Sequence, residues 1–78
     1  MKVRIERFRT VDEDHDSGAR IIARFDCQIG PVRLYDCTLL STPKGGRARP
    51  PACATVSWGA LTAIFHAARD ELMQVRAS

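Results

Sequence analysis

The sequence predicts an α+β fold: a small antiparallel β-sheet of three to four strands with one C-terminal amphipathic helix packed on it. Three observations carry this reading. In residues 19–29 Ile21, Ala23, Phe25, Cys27 and Ile29 share one parity and Ile22, Arg24, Asp26 and Gln28 the other, the period of a half-buried strand. Gly30-Pro31 then interrupts, and residues 32–40 resume a strand pattern, as the second arm of a hairpin does. From Thr55 to Val75 the apolar residues recur at three and four, the period of a helix. The 78 residues make a single domain, 1–78. A chain this short buries only about 60% of the surface it exposes when unfolded, so support from a partner subunit is expected.

Each element has its own justification. Val3 and Ile5 share one face of a first strand over Lys2–Arg9, while Lys2, Arg4 and Glu6 share the other. Phe8 falls on the wrong parity, which requires a bulge after Glu6 or the end of the strand. Residues 11–18, charged and closed by Gly18, are expected to form a turn, with His15 exposed on it. In the second strand Ile21, Ala23, Phe25, Cys27 and Ile29 face the core. Pairing Ile29 with Val32 and Cys27 with Leu34 would bring Phe25 against Asp36. One extra residue at Tyr35-Asp36 instead pairs Phe25 with Cys37 and Ala23 with Leu39, so a bulge is predicted there. Pro43-Lys44-Gly45-Gly46 is a turn, and Arg47-Ala48-Arg49 a short extended segment with both cations on one face. Pro50-Pro51 cannot donate to a ladder, which makes that segment an edge. The helix opens at Thr55 or Ser57 as N-cap and buries Trp58, Leu61, Phe65, Ala68, Leu72 and Val75, with Ile64 widening the stripe. His66 lies off the stripe, where Asp70 is its partner at helical spacing.

Charge points to anionic partners. Lys and Arg number twelve against nine Asp and Glu, and four of those acids (Asp12, Glu13, Asp14, Asp16) crowd into the first turn. The rest of the chain therefore carries twelve basic and five acidic residues, a surplus suited to polyanions. The expected contacts to DNA or RNA phosphates are Lys44, Arg47 and Arg49, joined by Arg33 and Arg69; such contacts position a nucleic acid more than they read it. Charges and prolines on an edge strand also discourage sheet-to-sheet aggregation. The alternative function is a protein-interaction module anchored by Tyr35, Trp58 or Met73.

Other chemistries are disfavoured. Gly45-Gly46 is not a phosphate loop, because Lys44 precedes the glycines instead of following them. Asp12, Asp14 and Asp16 have the spacing of a calcium loop, but Ser17 and Ala23 stand where it needs Gly and Glu, so no metal is expected. Asp36 has no His, Ser or second acid placed to make it a catalytic base, and neither histidine is arranged with a nucleophile. A non-enzyme without cofactor or small-molecule substrate is expected. Cys27, Cys37 and Cys53 are odd in number and widely spaced, which fits reduced, mostly buried thiols; Cys53 is read as core, although its place near the helix start would lower its pKa. The predicted bulge keeps Cys27 from lying directly opposite Cys37, so no hairpin disulfide is expected. No run of about eighteen apolar residues occurs, and Met1 leads into charged residues without a signal peptide's apolar block, which predicts a cytoplasmic protein.

Taken in order, the opening MKVRIERFR, the strands ARIIARFDCQIG and PVRLYDCTLL, the turn PKGG, the RARPP stretch and the closing amphipathic helix resemble the stage V sporulation protein G (septation regulator) family. The likeness covers nearly the whole chain, mostly through strand patterns. It implies a small regulatory α+β protein, generally a homodimer, whose curved antiparallel sheet carries a helix and whose basic region binds DNA or RNA. The matching positions of that basic region are Lys44, Arg47 and Arg49, with the start of the helical region near Ser57. Here residues 51–55 reach the helix almost at once, where the family usually has a longer, more basic insertion.

Overall fold

The computed structural model of the chain describes residues 2–15, 18–51 and 54–77. Cys53, and the Asp16 and Ser17 positions weighed for calcium, lie outside them. Four strands, β1 (Val3–Asp14), β2 (Arg20–Ile29), β3 (Val32–Thr42) and β4 (Gly45–Arg49), form one antiparallel sheet in chain order, followed by helix α1 (Trp58–Ala77). The predicted α+β architecture is what the chain adopts. No described helix is long and apolar enough to cross a membrane.

The β2–β3 hairpin has the predicted register. Ile29 pairs with Val32, Cys27 with Leu34, Phe25 with Cys37 and Ala23 with Leu39. The extra residue is on β3, where Asp36 takes a left-handed φ of 61°. Its amide donates to Asp26 Oδ1 at 2.9 Å, and Asp26 is only 9% exposed. A second bulge, at Ile22, was not foreseen. Without it Ile21 would meet Ser41; with it Ile21 meets Leu40, and both are buried with Ala19 in a small cluster.

β1 bulges between Glu6 and Arg9, with Arg7 at a φ of 53°. This returns Phe8 to the core, where its ring stacks on Phe25 at 6.1 Å between centroids. The strand then runs to Asp14, past the predicted turn, because a further shift between Thr10 and Glu13 keeps it paired with β2. Cross-strand ion pairs accompany the extension: Arg20 with Asp12 and Asp14, and Arg24 with Glu13 at 2.9 Å. The turn itself is shorter, closed by His15 N–H to Ala19 C=O (2.9 Å) and Gly18 N–H to His15 C=O (3.0 Å).

Ser57 is the N-cap, its Oγ accepting the Ala60 N–H at 3.2 Å. The buried face of α1 differs from the predicted stripe. Ala60, Ile64, Ala68 and Leu72 are buried and Leu61 and Phe65 half-buried, whereas Trp58 is 83% exposed and Val75 is exposed. The reason is distance: Ala60 and Ala68 let the helix backbone approach the sheet, and larger residues are displaced to its flank. Ile64, Ala68 and Leu72 close a core with Ala23, Phe25, Cys27, Cys37, Leu39 and Ala48. Cys27 and Cys37 are free thiols, diagonal across the hairpin with their Sγ atoms 3.8 Å apart. Their shared hydrogen bond, then burial, pushes the Cys37 thiol well up, so it stays protonated.

The Asp26–Asp36 contact predicts a mutation series. Asp26→Ala leaves the bulge amide unpartnered and should cost about 1–3 kcal/mol, whereas Asp26→Asn keeps an acceptor and should cost less. Asp36→Val, β-branched in a left-handed position, should cost about 1–3 kcal/mol, and Asp36→Gly about 1 kcal/mol at most. Urea midpoints at unchanged m-value measure all four; equal losses for Asp36→Val and Asp36→Gly would refute the backbone argument.

Candidate nucleic-acid interface

The basic segment becomes a hairpin. Thr42 pairs with Gly45 across the turn residues Pro43 and Lys44. Proline presets its own φ, and the Thr42 hydroxyl clasps the turn by accepting the Lys44 N–H (3.2 Å) and donating to Gly45 C=O (2.6 Å). Gly45 has a φ of 122°, open to glycine. Lys44 is thereby held at the tip. β4 then runs along the sheet edge with Ala48 buried opposite Leu39, which sends Arg47 and Arg49 to the opposite face of the sheet, paired with Leu40 and Thr38, where both arginines are exposed.

Helix α1 meets β4 at one tight point. A Cβ on Gly46 would stand 3.0 Å from Phe65 Cε1 and 3.2 Å from Leu40 C=O, so the ring rests on bare backbone. The Arg69 guanidinium lies over the same ring, 5.6 Å from its centroid, in cation–π geometry. Arg69 is thus tied, through Phe65, to the strand carrying Arg47. His66 tilts against Phe65 at 5.6 Å and forms no ion pair with Asp70 within 4.0 Å, contrary to expectation.

The charges are segregated. Six carboxylates (Glu6, Asp12, Glu13, Asp14, Asp26, Asp36) are engaged by four arginines, Arg7, Arg20, Arg24 and Arg33, all on β1 to β3. Arg24 sits between Glu13 and Asp36, and its hydrogen bond holds the Glu13 carboxyl below the usual range. Pairs this exposed add little stability, but they remove those charges from the surface field. From Cys37 to Arg69 the chain has no Asp or Glu at all. Among the described residues Lys44, Arg47 and Arg69 have no carboxylate within 4.0 Å.

Of the five residues read from the sequence, the structure gathers Lys44, Arg47 and Arg49 on one hairpin and sets Arg69 beside it. Arg33 is elsewhere. It lies at the opposite end of β3, about 30 Å from the hairpin tip by strand rise, with Nη2 3.0 Å from Glu6 Oε1 and 3.1 Å from Gln28 Oε1. Arg49 Nη1 is 2.8 Å from His15 Nε2. A guanidinium only donates, so the contact has Arg49 as its donor. His15, expected to be exposed, is half-buried.

Between β4 and α1 runs an open groove of about 710 Å³, its sides formed by Arg47, Arg49, Pro50, Trp58, Leu61 and Phe65, with no acidic residue on it. Sequence reasoning missed this groove because it placed Trp58 in the core. The acid-free run from Cys37 to Arg69 was the signal available. Tyr35 (58% exposed) and Met73 (62%) do not join it: Met73 is about 22 Å along the helix from Trp58, and Tyr35 points away from the helix side that its neighbour Leu34 occupies. No three His, Cys, Asp or Glu side chains converge as metal ligands among the described residues.

The Gly46–Phe65 contact yields a second prediction. Gly46→Ala should push Phe65 away and destabilise the fold by about 1–3 kcal/mol, with Phe65→Leu restoring part of the loss in the double variant. Thermal unfolding of the two single variants and the double variant tests it; strictly additive losses would mean that the two residues do not compete for this space. Compared with protein-family models, curated proteins and solved structures, the chain has no match.

Proposed function

We propose that the chain is a non-enzymatic, regulatory nucleic-acid-binding protein, in which Lys44, Arg47, Arg49 and Arg69 contact backbone phosphates of DNA or RNA. One observation carries the reading. These four cations project from an acid-free stretch, while the described carboxylates of β1 to β3 are already matched by other arginines. A polyanion approaching the β4 edge meets uncompensated positive charge, and one approaching β1 to β3 meets mostly paired charge. The likeness to the septation-regulator family points the same way and adds a homodimer. Arg33 is left out of the contact set because Glu6 holds it.

A second reading, a protein-interaction module, is favoured by the 83% exposure of Trp58 beside an unpaired strand edge. Charge neutralisation separates the two. About four phosphate contacts give a slope of log affinity against log salt of about −3 to −4, at about 0.9 per contact. The triple variant Lys44→Ala/Arg47→Ala/Arg49→Ala should reduce this slope to about −1 and spare an apolar protein contact. Titration of labelled duplex and single strands across salt measures it, and light scattering of the same samples reports dimerisation. Absence of binding at low salt ends the phosphate reading.

A further inference from the structure

We propose that the groove between β4 and α1 takes a single-stranded segment of DNA or RNA, with a base stacked on the Trp58 ring and the adjoining phosphates crossing the β4 edge to Arg47 and Arg49. The inference rests on the phosphate-contact reading above and adds the strandedness of the ligand.

Trp58 is the sole tryptophan, and its exposure leaves a large apolar ring in water at the first turn of the helix. Its mounting is firm. The Ser57 cap holds the Ala60 amide, and Thr62 Oγ1 donates to the Trp58 carbonyl at 3.0 Å, so the ring projects from ordered backbone. Below it the groove offers the apolar surfaces of Leu61, Phe65 and Pro50, and its strand side is the β4 edge, from whose far face Arg47 and Arg49 project. Aromatic faces beside unneutralised cations are what an unpaired strand needs: π-surfaces for its bases and positive charge for its backbone.

The competing occupants fit less well. In a duplex the bases are stacked on one another and present no face to Trp58. Nor is α1 a groove-reading helix, since Asp70 and Glu71 offset Arg69 and Arg76. A second copy added antiparallel through β4 about Ala48 would set Arg47 of one chain against Arg49 of the other, a like-charge pairing.

The test uses the full chain at low salt, with oligo(dT) and oligo(U) of about twelve nucleotides and a duplex of the same length. Both single strands should quench the Trp58 fluorescence. Trp58→Ala should weaken their binding about 5- to 100-fold and leave duplex binding unchanged, and Trp58→Phe should retain most of the affinity. Because Trp58 is exposed, Trp58→Ala should fold, which circular dichroism checks. Single-strand binding that loses affinity in Arg47→Ala/Arg49→Ala but neither quenches Trp58 nor weakens in Trp58→Ala overturns the stacking and leaves the phosphate reading standing. No binding of strand or duplex overturns both. Quenching by poly-glutamate alone, or a Trp58 signal that follows protein concentration together with light scattering, would assign the groove to an acidic segment or to a second copy and overturn the inference.

Discussion

The carboxylate of Asp26, accepting the amide of Asp36, is the contact on which the sheet's geometry depends. Asp26 lies in β2 between two bulges, and both left-handed residues other than glycine among those described reach it: Asp36 through its backbone, and Arg7 through a guanidinium 3.9 Å from Oδ2. A bulge inserts one residue, and every side chain beyond it changes face relative to the uninterrupted strand. Remove the β3 bulge and Phe25 meets Asp36; keep it, and Cys37 and Leu39 return to the core. An almost buried carboxylate would ordinarily be a liability. Here it supplies the acceptor that the strained amide lacks.

From that register the cationic edge follows. Leu39 faces the core, so Ala48 opposite it does too, and Arg47 and Arg49 take the other parity. Gly46 completes the arrangement by leaving room for Phe65, which brings the helix flank and Arg69 to the same edge. The bulges in β1 act at the other edge, extending it until Glu13, Asp12 and Asp14 are within reach of Arg24 and Arg20. A chain of modest net charge thus separates into a largely neutralised region and a positive one. Net charge alone does not locate a site; the partition of ion pairs does.

The edge and the groove also bear on solubility. An unpaired strand is a template for further strands, and β4 is protected by its shortness, its two arginines and the proline that ends it. The same arginines that deter a second strand attract a polyanion. Protection against aggregation and phosphate binding therefore make the same demand on these positions, and selection for either would retain the cations.

Much of this architecture was legible in the residues themselves. Period-two alternation located β2 and β3, and the mismatch of Phe25 with Asp36 located the bulge and the pairing of Phe25 with Cys37, because cross-strand parity is a local constraint that a hairpin enforces over a few residues. The edge position of Arg47 and Arg49 was equally local, dictated by Pro50-Pro51. Tertiary structure decided the rest. Which face of α1 is buried depended on how closely the helix approaches the sheet, so Ala60 and Ala68 displaced Trp58 from the core although it is far more apolar. Which cations remain free depended on acids distant in the chain, so Glu6 engaged Arg33 while Lys44 and Arg47 met none among the described residues. Hydrophobicity and charge are properties of single residues, but burial and neutralisation belong to pairs that only the folded chain brings together.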